Sequence, residues 1–169
     1  MRRKFLIISF LLILTGLSAC QPKETNLSFK TIEQRNAFDT RWVYKHESPN
    51  LIVVSTLEES ISLSGLITPA AKEQLQKVKY DAYFVIAVFQ GRKPTTGYNV
   101  QIERITRKGN KVSVYAQFLE PQPDEAKADI ETLPYQLVRV DKTGKWGQEV
   151  TFELIVKGAV VASCSQYIP

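Results

Sequence analysis

The chain has 169 residues, of which 44% are hydrophobic and 23% charged, and a formal net charge of +5. Three of its cations, Arg2, Arg3 and Lys4, stand at the extreme N-terminus, so the remainder carries only +2 and gives no electrostatic case for nucleic acid as a partner. One histidine and two cysteines cannot build the usual zinc sites without carboxylates, and no metal or cofactor is expected.

The basic start is followed by an apolar run, Phe5 to Leu17, and then by Ser18-Ala19-Cys20. From Phe5 to Ala19 the run is too short for a spanning helix, which needs about 20 residues, and residues 1–19 read as a signal peptide. Cys20 after Leu-Ser-Ala resembles the lipobox of bacterial lipoproteins. That resemblance implies cleavage before Cys20, a diacylglycerol on its thiol, and an extracytoplasmic protein held to a membrane by its N-terminal lipid. Gln21 after the cysteine resembles the outer-membrane sorting pattern of cells that have two membranes. With Cys20 acylated, Cys164 has no intrachain partner, and within VVASCSQY it reads as a small buried apolar residue.

Residues 20–28 are polar and aperiodic and read as the lipidated tether; residues 29–169 read as one β-rich domain. The pattern from Phe29 to Tyr44 is unclear. Asn50 to Val54, rich in β-branched residues after Pro49, suggests a first core strand. Ser55-Thr56-Leu57-Glu58 has the form of a capping box, and Thr68-Pro69 that of an N-cap with proline at the first helical position, so two short helices are expected. Tyr83 to Phe89 is an unbroken apolar run that reads as a strand buried on both faces. Tyr98, Val100 and Ile102 then alternate with polar residues, as do Val112, Val114, Ala116 and Phe118, with a turn at Lys108-Gly109-Asn110.

Two hairpins in a row would make a meander from Tyr83 to Phe118. PQPDEAKADIET reads as a loop, Tyr135 to Val140 and Val150 to Val156 as strands, and Ala159 to Ala162 as the last strand after a turn at Lys157-Gly158. Short strands at close spacing favour an antiparallel β-sandwich or barrel-like sheet with one or two short helices, with α+β as the rival class.

Little points to catalysis. The one histidine, His46, stands among turn-forming residues, and the chain has no P-loop, G-x-G-x-x-G or G-x-S-x-G motif. Asp124, Glu125 and Asp129 do not follow the spacing of an EF-hand loop. The expectation is a protein that is not an enzyme.

The segment with most to explain is Gly91-Arg92-Lys93-Pro94-Thr95-Thr96-Gly97-Tyr98. Pro94 suits the second position of a turn, Gly97 can take a left-handed conformation, and Tyr98 can open the next strand facing the core. Gly91, Arg92, Lys93, Thr95 and Thr96 are less fully accounted for. As a hairpin tip they would form a rigid, donor-rich protrusion suited to recognition, and both readings, plain turn and binding loop, stand.

The run YDAYFVIAVFQGRKPTTGYNVQIERI, followed by VSVYAQFLEPQP and TLPYQLVRVDK, resembles the C-terminal domain of the protease-complex subunit PrcB over about residues 81–142. The resemblance implies a non-catalytic lipoprotein accessory to a cell-surface protease. Thr96 stands where that family often has a second glycine. Lys93 to Tyr98 is also similar to a loop of the chagasin-type cysteine peptidase inhibitors, which implies insertion in a protease cleft; Lys93 replaces that family's asparagine, and its Arg-Pro-Trp motif is missing.

Overall fold

The computed structural model describes residues 23–37 and 47–169. Cys20, the residues 1–19 expected to be a signal peptide, and His46 lie outside those residues. Nine strands are described: β1 (Thr25–Leu27), β2 (Phe29–Ala37), β3 (Asn50–Val54), β4 (Tyr83–Phe89), β5 (Asn99–Lys108), β6 (Lys111–Leu119), β7 (Leu133–Asp141), β8 (Gln148–Val156) and β9 (Ala159–Ile168). They form a five-stranded sheet, β1-β5-β6-β8-β9, and a four-stranded sheet, β2-β7-β4-β3. A 3-10 helix, Glu59–Leu63, and one α-helix, α1 (Pro69–Gln76), complete the fold.

The apolar run of β4 explains the layering. Phe84, Ile86 and Val88 face the five-stranded sheet and pack with Val112, Val114, Phe152 and Leu154; the Phe84 and Phe152 rings meet edge-on at 5.7 Å. Val85, Ala87 and Phe89 face the other way, onto Leu63, Ile67, Ala71 and Leu75. The four-stranded sheet is therefore a middle layer, with a sheet on one side and helices on the other. From Phe84 to Phe89 every residue of β4 is apolar and buried, because neither of its faces meets water. The β-sandwich expectation holds, with a helical cover on one sheet.

Local signals place the cover. Thr68 caps α1, its Oγ1 accepting the Ala71 amide proton at 3.1 Å, and proline follows at the first helical position as the sequence suggests. The capping box near Ser55 forms one residue later than its pattern indicates. Thr56 Oγ1 accepts from the Glu59 amide, and the Glu59 carboxylate accepts from the Ser55 amide at 2.7 Å. Glu58, the expected box residue, makes no side-chain cap bond. The Tyr135 phenol, buried under α1, donates to Glu33 and accepts the Thr68 amide proton at 3.3 Å, tying β7, β2 and the helix start together. Burial, and then the adjacent Glu33 carboxylate, push the Tyr135 pKa well above the ordinary tyrosine value.

Several expectations are corrected. Strands β4 and β5 do not form a hairpin: β4 pairs with β3 and β7, while β5 pairs with β1 and β6. The meander thus shrinks to the β5–β6 hairpin. One pair, β6 with β8, is parallel, because the chain leaves the first sheet after β6, runs back as β7 in the second, and returns in the direction of β6. Two strands precede the supposed first one, and β1 falls inside the segment read as tether, pairing Thr25–Leu27 with Arg107–Ile105. Strand β9 continues past Ala162 to Ile168 because its inward residues Ala162 and Cys164 pack on the core while Ser163 and Ser165 face out.

Candidate functional site

Since β4 and β5 lie in different sheets, the GRKPTTGY segment is a crossover between them. A second crossover, residues 120–132, joins β6 to β7 at the same end of the sandwich. The two run side by side. Lys93 and Thr132 exchange both backbone hydrogen bonds, at 2.9 and 2.8 Å. The Thr96 amide donates to the Ala128 carbonyl at 3.1 Å, the Thr96 hydroxyl accepts from the Ala128 amide at 3.0 Å, and Thr132 Oγ1 donates to the Thr95 carbonyl at 3.0 Å. Arg92 forms an ion pair with Glu131, its Nε donating at 2.9 Å.

Two glycines let the crossover lie this close to its neighbours. Gly91 has φ +85°, and a side-chain carbon there would collide with the Glu47 carbonyl. Gly97 has φ +95°, and its added carbon would stand 2.6 Å from Pro121 Cβ. Gly91 is buried, Lys93, Thr95, Thr96, Gly97 and Tyr98 are half-buried, and Arg92 and Pro94 are exposed. The segment is thus a packed corner and not a free hairpin tip.

This geometry sorts the donors that the sequence offered. Both threonine hydroxyls are turned onto the chain itself, Thr95 Oγ1 to the Thr96 carbonyl and Thr96 Oγ1 to Ala128. The Arg92 guanidinium is engaged by Glu131. The Lys93 ammonium lies 5.6 Å from the centre of the Tyr98 ring, so Tyr98 is a half-buried platform for a cation instead of a core residue. What faces outward is an open cleft of about 450 Å³ lined by Glu47, Arg92, Lys93, Pro94, Tyr98 and Glu131.

Sequence reasoning missed Glu47 and Glu131 as members of this site. The turn at Glu47-Ser48-Pro49 and the acidic 120–132 loop were both visible; their convergence on Arg92 and Lys93 depends on pairings some forty residues apart. Among the described residues, no group of three or more histidine, cysteine or acidic side chains gathers in a way that could hold a metal. The cleft holds an ion pair, one cation on an aromatic ring and an exposed proline, which suits contact with a protein surface.

A family model described as PrcB C-terminal matches residues 84–141, about a third of the chain. No curated protein and no solved structure matches it. The matched segment supplies β4 and β7 at the centre of the middle sheet, β5 and β6 of the other, and both crossovers of the candidate site. It is the part of this chain that is similar to the PrcB C-terminal domain.

Proposed function

We propose that the protein is a lipid-anchored, non-enzymatic accessory module of an extracytoplasmic protease complex, and that it meets its protein partner through the paired crossovers 91–98 and 120–132. The observation that carries this reading is the family match over residues 84–141, whose limits take in both crossovers and the four strands that hold them. The packing supports it further. A loop braced by a second loop loses little conformational freedom on binding, so contacts made by Pro94, Lys93 and Tyr98 are not offset by ordering costs. The anchor is the acylated Cys20, and the compartment is the cell envelope, at the outer membrane in a cell with two membranes.

The test is copurification of the full chain from gently solubilised native membranes, with the retained proteins identified by mass spectrometry. The expected result is a protease retained by the natural protein and reduced several-fold by Lys93→Ala with Pro94→Ala. Retention of no protease, or equal retention by the variant, would overturn the assignment of partner or of surface respectively. The inhibitor-like reading predicts slowed turnover of papain-type enzymes by the purified chain, which the accessory reading does not.

A further inference from the structure

The end of the sandwich opposite the crossovers has a different electrostatic character. Turn 106–111, Thr-Arg-Lys-Gly-Asn-Lys, and turn 142–147, Lys-Thr-Gly-Lys-Trp-Gly, contain five cations and no acid; Lys111 is paired with Glu153 of β8 at 2.7 Å, which leaves four cations without an acidic partner in these turns. Arg107 locks them together. Its guanidinium donates to the Gly109 carbonyl at 2.9 Å and the Lys145 carbonyl at 2.7 Å, and stacks 3.7 Å from the Trp146 ring. With Arg107 so engaged, Lys108 and Lys145 stand exposed at the turn tips. On the helix side, Lys30, Lys77 and Arg139 line a cleft with no acidic residue among the described residues around it. The crossover end is the reverse: residues 120–132 carry Glu120, Asp124, Glu125, Asp129 and Glu131 against Lys127 alone.

The chain enters the domain at the cationic end. Thr25 pairs with Arg107, and its hydroxyl donates to the Arg107 carbonyl at 3.4 Å, with exposed Lys23 and Glu24 immediately before it. Five residue steps separate Thr25 from Cys20, and even fully extended they reach only about 18 Å. Resting on the lipid anchor of the proposed function, we infer that this end is a docking face for an anionic membrane surface: Lys23, Lys108 and Lys145 sit against lipid phosphates, and the crossovers point away from the membrane. A flexible tether of five steps averages about 12 Å end to end, comparable with the roughly 10 Å over which a charged surface attracts at ordinary salt, so the cationic end repeatedly samples that range. Lysines spread over turn tips suit a charged plane better than a single bound anion, and an acidic bilayer would repel the opposite end.

The experiment reconstitutes the full chain, purified from membranes, into vesicles of phosphatidylcholine alone or with phosphatidylglycerol. Acylation of lysines by a water-soluble reagent is then read by mass spectrometry, which also reports the mass at Cys20. With phosphatidylglycerol present, labelling of Lys108 and Lys145 should fall about fivefold, recover in high salt, and leave Lys127 unchanged. Lys108→Glu with Lys145→Glu should abolish the protection of Lys23. Cys20 acylated with equal labelling at both ends overturns the docking face and leaves the anchor standing. A bare Cys20 overturns the anchor and the docking with it. Protection by soluble polyglutamate but not by anionic vesicles would assign the face to an acidic protein and overturn the proposal.

Discussion

The Gln136 side chain, buried in β7, accepts the Ile102 amide proton of β5 on its Oε1 at 2.5 Å and donates from Nε2 to Thr31 Oγ1 at 3.0 Å. It thereby links the two sheets just inside the candidate site. Strand β1 is only three residues long and pairs only with Ile105–Arg107, so among the described residues the first half of β5 has no strand neighbour on that side. Its edge is satisfied by glutamines of the other sheet, Gln136 on Ile102 and Gln34, whose Nε2 donates to the Val100 carbonyl at 2.6 Å. Gln136→Ala should leave the Ile102 amide buried without a partner and cost about 1–3 kcal/mol. A urea midpoint within error of the natural protein's would show that this link adds nothing.

Gly91 and Gly65 offer a matched contrast. Gly91 has a positive φ and the Glu47 backbone against it, whereas Gly65 has open space around its α-carbon. Gly91→Ala should destabilise the fold by about 1–3 kcal/mol or more, as expected of a residue forced into a sparsely populated backbone region and a collision. Gly65→Ala should be within about 0.5 kcal/mol of neutral. Thermal unfolding of the two variants side by side checks the pair, and equal effects would contradict the close approach of residues 47 and 91.

The strands with one clear pattern were legible in the sequence: β4 from its unbroken apolar run, β5 and β6 from alternation. The sequence did not reveal which strands pair. Pro94 and Gly97 satisfy a turn whether it closes a hairpin or carries the chain between sheets, since their backbone angles are local and the choice between sheets is not. Strand β2 was hidden for another reason. It is an edge strand whose Glu33 serves the Tyr135 and Thr68 cluster and whose Gln34 serves β5, so polar residues stand on both faces and no alternation survives. The candidate residues Gly91 to Tyr98 were singled out by type, but the sequence cast Thr95 and Thr96 as outward donors, and their engagement within the fold was not legible because their partners lie in the other crossover and in the loop itself.

Tyr135→Phe removes the hydroxyl that joins Glu33 to the start of α1, leaving a half-buried carboxylate with fewer donors. The expected cost is about 1–3 kcal/mol, larger than a neutral hydrogen bond because one partner is charged. Amide exchange should report faster opening of Ala71 and its neighbours in α1. If exchange there is unchanged while overall stability falls, the phenol serves the sheet and not the helix.

Cys164 packs against the inter-sheet core, and burial pushes its thiol pKa up to about 11 from an ordinary value of 9.0. The folded state therefore holds the thiol proton more tightly than the unfolded chain does. Its contribution to stability is fully present below pH 9 and is lost as the pH rises toward 11. The stability difference between the natural protein and Cys164→Ala should be constant from pH 6 to 8 and narrow between pH 9 and 11. The thiol should also react slowly with iodoacetamide at pH 8 in the folded protein and quickly in urea. Fast reaction without denaturant would contradict its placement.

The central claim is that the paired crossovers face a protease. A benzophenone side chain introduced in place of exposed Pro94, and separately in place of exposed Ser163 on β9, tests it in native membranes. Irradiation followed by mass spectrometry should give an adduct between position 94 and a protease, with none from position 163. An adduct from position 163 and none from position 94 would contradict the account.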